Sequence, residues 1–129
     1  MSKGHDNQTL TKGIAKVPVM MQLEWLECGA ASLGMVLAYY GKWVPLEQLR
    51  TDCSVSRDGV NAEKIYLAAK LHDLDVKVYK MSPESLKENG RFPCIIHWNM
   101  NHFVVLKGFR GKYVYLNDPA QANGTRSRP

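Results

Sequence analysis

One helix constrains this chain more than anything else in it. Residues 29–40 contain no proline. Leu33, Val36, Leu37 and Tyr40 recur at the i, i+3, i+4, i+7 spacing of a helix face, and Gly41 is placed to end the helix. Ala30, Gly34 and Ala38 form a second stripe at spacing four. A mid-helix glycine costs about 1 kcal/mol relative to alanine, so Gly34 predicts a place where another element comes close. The expected helix is buried, and it opens on Cys28. A thiol in a first helical turn feels the positive end of the dipole, which favours its thiolate.

The totals exclude several classes of function. At 129 residues the chain suits one domain with a substantial core. The net charge of +5 is mild and no long basic run accompanies it, so nucleic acid is not an expected partner. No apolar run approaches the length of about 18 residues that a membrane helix needs, and the polar residues 2–8 lack a signal-peptide core. Three cysteines at irregular spacing do not form a disulfide framework, and a reducing compartment fits them best.

Along the chain, residues 1–14 are a polar tail. Residues 14–23 are an extended arm around Pro18. A short helix starts at Pro45, and 54–59 is a loop. Asn61 can cap a third helix running to about His72, with Ile65, Ala68, Ala69 and His72 on one face. Residues 75–81 alternate imperfectly and predict a strand; Pro83 to Asn89 predict a helix ended by Gly90. Three strands follow, over 92–98, 102–109 and 112–118, with a turn at Arg110-Gly111 and a stop at Pro119. Helices followed by an antiparallel meander give an α+β fold. The expected division is a tail over 1–14, one domain over 15–120, and a linker or tail over 121–129.

The chemistry suggested by these residues is that of a cysteine peptidase. It needs a thiol, an imidazole to take its proton, a group that orients the imidazole, and donors for the oxyanion. Cys28 is the thiol candidate, although a small buried thiol is also an ordinary core residue. Cys53 and Cys94 read as core. Among the histidines, His5 lies in the tail and His72 at a helix end, where its charge suits the dipole. His97 reads as a core histidine. His102 opens a strand after the loop 99–101, where a side chain can reach a cleft. Asp118 closes the facing strand. A three-residue loop of Phe109, Arg110 and Gly111 would set His102 directly opposite Asp118; a two-residue Arg110-Gly111 loop would put Phe103 there instead. A zinc site from Cys94, His97 and His102 is disfavoured, because residues 94 and 97 of one strand point to opposite faces. No metal and no cofactor are expected.

Four blocks in order carry a resemblance: Gln22; Glu27-Cys28-Gly29-Ala30-Ala31-Ser32-Leu33; Asn101-His102-Phe103-Val104-Val105-Leu106; and Asn117-Asp118-Pro119-Ala120. Over residues 17–120 the chain resembles the papain-like peptidase domain of bacteriocin-processing ABC transporters. The resemblance implies a papain-like fold in a cytosolic N-terminal domain of a bacterial exporter. Its partners would be the exporter's transmembrane and ATP-binding domains. Its activity would be removal of the leader from bacteriocin or lanthipeptide precursors after a double-glycine-type motif. It implies that Cys28 is the nucleophile, His102 the base, Asp118 the orienting acid and Gln22 the side-chain donor of the oxyanion hole. Family leaders bind as amphipathic helices, for which Tyr66, Leu67, Met81 and Leu86 are candidate groove residues. Two alternatives stay open: a leader-binding domain without activity, and another papain-like enzyme such as a transglutaminase or amidase.

Overall fold

The computed structural model describes residues 14–20, 27–56, 59–98, 102–120 and 125–127. Four helices come first: α1 (Cys28–Tyr39), α2 (Leu46–Asp52), α3 (Ala62–Leu71) and α4 (Pro83–Asn89). Four strands follow, β1 (Cys94–Trp98), β2 (His102–Arg110), β3 (Tyr113–Asn117) and β4 (Thr125–Ser127), forming one antiparallel sheet in sequence order. The fold is α+β, as expected.

Helix α1 is the centre of the molecule. Every residue from Cys28 to Ala38 is buried, so the helix has no solvent face and the predicted stripe is part of an apolar surface on all sides. Met35 and Val36 meet Val104, Val105 and Leu106 of β2 in one cluster. Leu33 and Leu37 meet Leu49 of α2 and Ile65, Ala68 and Ala69 of α3 in another. Gly41 ends the helix in the left-handed region, at φ +89, while its N–H and that of Lys42 satisfy the Ala38 and Leu37 carbonyls.

Gly34 is the expected point of close approach. A Cβ built there would lie 2.5 Å from Met20 Sδ and 2.8 Å from Leu49 Cδ1. Overpacking a core of this kind typically costs about 1–3 kcal/mol, which exceeds the gain of about 1 kcal/mol in helix propensity. Gly34→Ala is therefore expected to lower the urea midpoint of unfolding. An unchanged or raised midpoint would show that Met20 and Leu49 yield without cost.

Local signals explain the smaller helices. Asn61 Oδ1 accepts from the Lys64 N–H at 2.9 Å and starts α3; Ser82 does the same for α4 through the Ser85 N–H at 3.1 Å. The arm over 14–20 is extended and lies along the sheet. Its Ala15 N–H donates to the Lys107 carbonyl at 2.9 Å, and Asn117 Nδ2 donates to the Val17 carbonyl at 2.9 Å.

Three expectations are corrected. Residues 75–81 join no ladder. Val78, Tyr79 and Met81 stand exposed, at 65%, 66% and 38%, and the alternation that predicted a strand has no partner to pair with. Within the predicted linker or tail, Thr125–Ser127 pairs antiparallel with β3 as the fourth strand. The hairpin loop follows neither of the two predicted registers. Arg110 pairs with Tyr113, leaving a two-residue loop whose first position, Gly111, takes φ +59. A β-bulge then intervenes: Gly108 faces Tyr115 but Leu106 faces Leu116, so Lys107 is the extra residue.

Candidate active site

Cys28 occupies the first turn of α1, beside the N-terminal end of β2. Its Sγ accepts from the Phe103 backbone N–H at 3.4 Å, which sets the sulfur next to the residue that follows His102. Cys28 is 4% exposed. Burial pushes it above its ordinary value, against the lowering effect of the Phe103 and Gly29 N–H groups; the Asp118 carboxylate adds a smaller upward push. The expected thiolate preference of a helix start is present in the Gly29 N–H contribution, the Phe103 N–H of β2 adds to it, and desolvation outweighs both. A thiol of this kind needs a base to take its proton.

His102, the residue before Phe103, carries an imidazole at the same end of β2. Its Nε2 lies 2.6 Å from Asp118 Oδ1. Both groups are partly buried, with side chains 27% and 17% exposed. The same Oδ1 accepts from the Ala120 N–H at 2.9 Å, so the turn over Asp118, Pro119 and Ala120 fixes the carboxylate. With Nε2 held by Asp118, Nδ1 is the nitrogen left for the thiol proton.

The bulge at Lys107 is what lets this pair meet. Had the register of the Arg110–Tyr113 pair continued, Asp118 would have faced Val105, whose side chain points away from His102. One inserted residue moves Asn117 opposite Val105 and turns Asp118 to the face of Val104 and His102. The contact is then diagonal across the pair, a separation that long side chains bridge. Gly108, at φ +151, absorbs the distortion. No pattern in the sequence announces the bulge beyond Gly108 itself.

The remaining candidates are dispersed. Gln22 and His5 lie outside the described residues. His97 is corrected from a core residue to an exposed one: it pairs with Phe103, one position from His102, and stacks on that ring at 4.7 Å. His72 is held by Asp52 at 2.7 Å, which ties the end of α3 to α2. Cys53 and Cys94 are pushed up by burial to about 11 and about 12. Among the described residues, no three His, Cys, Asp or Glu side chains are grouped to hold a metal.

The groove candidates separate. Tyr66 lines a shallow cleft between α3 and residues 76–79, together with Ala62, Val76, Val78 and Tyr79. Leu67 is 54% exposed and Met81 is exposed beside the cleft's last residues, whereas Leu86 packs against the sheet core. Sequence reasoning missed Val78 and Tyr79 as surface residues because it had assigned them to a strand. It also missed Asn117, which is fully buried and holds the arm through Val17.

The model of the peptidase C39 family matches residues 16–128. A probable microcin-H47 secretion/processing ATP-binding protein of Escherichia coli is 33% identical over 115 residues, covering 89% of this chain and 16% of that protein. The colicin V secretion/processing ATP-binding protein of Escherichia coli is 33% identical over 106 residues, covering 82% of this chain and 15% of that protein. The chain thus spans about a sixth of the length of these relatives. The crystal structure of a double glycine motif protease from an AMS/PCAT transporter, in complex with the leader peptide, superposes with a TM-score of 0.89 at 64% identity, covering 92% of this chain and 84% of that one. The peptidase domain of Streptococcus ComA shares the fold, with a TM-score of 0.76 at 23% identity over 88% of this chain and 86% of that one.

Proposed function

The chain belongs to the peptidase C39 family, and on that premise we propose that it is a cysteine endopeptidase that removes leaders from bacteriocin or lanthipeptide precursors after a double-glycine-type motif. The observation that carries the reading is the His102–Asp118 pair at 2.6 Å beside a helix-start thiol. The 64% identity to a double glycine motif protease with its leader bound supports the choice of substrate.

In the proposed reaction, His102 Nδ1 takes the Sγ proton as the sulfur attacks the carbonyl carbon of the second glycine. Asp118 holds the imidazole and stabilises the imidazolium. The C–N bond breaks as the imidazolium returns the proton to the leaving amine. The leader then sits on Cys28 as a thioester, and water activated by His102 releases it. Two glycines before the scissile bond fit a channel too narrow for larger side chains. The exposed Leu67, Val78 and Tyr79, with the half-buried Tyr66, form the apolar surface that is the proposed seat of an amphipathic leader helix. The parent protein would be an exporter whose transmembrane and ATP-binding domains follow, with this domain on the cytoplasmic side. Among the described residues no helix is long and apolar enough to cross a membrane.

The test is incubation with a double-glycine precursor, read by mass spectrometry, with and without EDTA. The expected products are the intact leader and core peptides in both cases. A leader that binds without being cut would make the domain a binding module, a deamidated or cross-linked product would make it a related amidase or transglutaminase, and zinc-restored activity after EDTA would revive a metal.

Gln22 has a specific expected phenotype. In the proposed site its amide N–H₂ and the Cys28 backbone N–H donate to the developing oxyanion. Loss of one such donor costs roughly 10²–10³ in kcat, about 2.7–4 kcal/mol. The donor acts on the transition state, so Gln22→Ala should leave KM and the alkylation of Cys28 nearly unchanged. A Gln22→Ala enzyme with normal kcat would remove Gln22 from the site.

A further inference from the structure

One helical turn after Cys28, on the same face of α1, stands a hydroxyl that the triad does not use. Ser32 is fully buried, in a run of small and apolar residues. Burying a hydroxyl is costly unless it is hydrogen-bonded, and serine is a poorer helix former than alanine. Serines inside helices commonly turn back on the carbonyl four residues earlier. Ser32 Oγ reaches across to β2 instead, donating to the Phe103 carbonyl at 3.1 Å.

Phe103 is therefore held at both of its backbone groups by one face of one helix. Its N–H donates to Cys28 Sγ at 3.4 Å, and its carbonyl accepts from Ser32 one turn further along. The residue lies beyond the Val105–Asn117 pair, where the ladder between β2 and β3 ends. Buried backbone groups need partners, and Phe103, 6% exposed, takes them from α1. Of the N–H groups that lower the Cys28 thiol, that of Phe103 acts most strongly, ahead of those of Gly29 and Cys28 itself. We propose that Ser32 is a positioning residue of the reaction: its bond to the Phe103 carbonyl holds β2 where the Phe103 N–H meets Cys28 Sγ. A neutral hydroxyl does this without bringing a charge to the thiol. Replacing it leaves the titratable groups of the region in place: Asp118 with His102 on the sheet side, Glu27 ion-paired to Arg50 at the helix boundary, and Cys53 in the same buried cluster.

This inference rests on Cys28 as nucleophile, and its test reads Cys28 without requiring cleavage. The rate of iodoacetamide alkylation is followed across pH by mass of the Cys28 peptide, which separates it from Cys53 and Cys94. Ser32→Ala should move the alkylation profile to higher pH and slow the rate at pH 7 about three- to tenfold, as expected when one hydrogen bond to the thiolate weakens. Alanine is smaller by one atom and the better helix former, so the fold survives. Exchange of the Phe103 amide with deuterium should quicken about tenfold relative to that of Val105, a local change that general loosening would not produce. Ser32→Thr keeps the hydroxyl and should stay within about twofold of the parent in both readouts. Leu37→Val loosens α1 about two and a half turns from Cys28; it should lower the urea midpoint and leave the alkylation profile in place. A Ser32→Ala profile that coincides with the parent's, whatever its urea midpoint, overturns the proposal and leaves Ser32 as packing. An equal shift in Leu37→Val also overturns it, by tracing the effect to stability. If the parent leaves a double-glycine precursor uncut, the reading of the reaction fails separately, while the alkylation profiles still report on Ser32.

Discussion

Cys28→Ala is expected to abolish cleavage of a double-glycine precursor while leaving leader affinity within about twofold. Removing the nucleophile of a catalytic triad typically leaves only the residual rate contributed by binding and the oxyanion hole, a loss of roughly 10⁴-fold or more in kcat. The buried thiol contributes little to affinity, because the proposed leader surface runs over Tyr66, Val78 and Tyr79, apart from the sulfur. The alanine differs from the thiol by one atom in a close-packed first turn, so the fold should survive. Product mass after prolonged incubation reads the chemistry, and titration calorimetry with the leader reads the binding. Turnover by the alanine variant would end the nucleophile assignment; loss of binding together with turnover would mean that Cys28 is needed for the leader site itself.

His102→Ala is expected to be as damaging as loss of the thiol, while His97→Ala stays within about threefold of the parent. The contrast follows from position. His102 is held by Asp118 and precedes Phe103, whose N–H meets the sulfur, whereas His97 is exposed, across the ladder from Phe103 and stacked on its ring. Burial has raised the Cys28 thiol above its ordinary value, so without a base the thiol stays protonated at neutral pH. In His102→Ala, alkylation of Cys28 should therefore rise only at alkaline pH, beyond the ordinary thiol range. A folded His97→Ala that loses turnover, beside an active His102→Ala, would exchange the two roles.

What the sequence revealed and what it hid divide along a physical line. The helix at Cys28, the cap at Asn61, the start at Pro83, and the stops at Gly41 and Gly90 were legible because each depends on neighbours within a few residues. The three main strands were legible by composition. The His102–Asp118 contact was anticipated, but for a reason that fails: it does not come from a three-residue loop, but from a two-residue loop corrected by the bulge at Lys107. An even and an odd error in register have opposite effects on side-chain direction, and only the ladder itself reveals which occurred. Residues 75–81 had strand-like composition without a partner strand, and Thr125–Ser127 had a partner without strand-like composition. The Glu27–Arg50 pair joins two helices across 23 positions of sequence, and nothing local in either residue points to the other.

The central claim is that Cys28 attacks the carbonyl of a glycine presented by a bound leader. A leader peptide whose terminal Gly-Gly ends in a chloromethyl ketone tests it directly. Intact-protein and peptide mass should show one adduct on Cys28, prevented by excess unmodified leader and lost in His102→Ala at neutral pH. An adduct on Cys53 or Cys94, or none on Cys28 while iodoacetamide still labels it, would contradict the account.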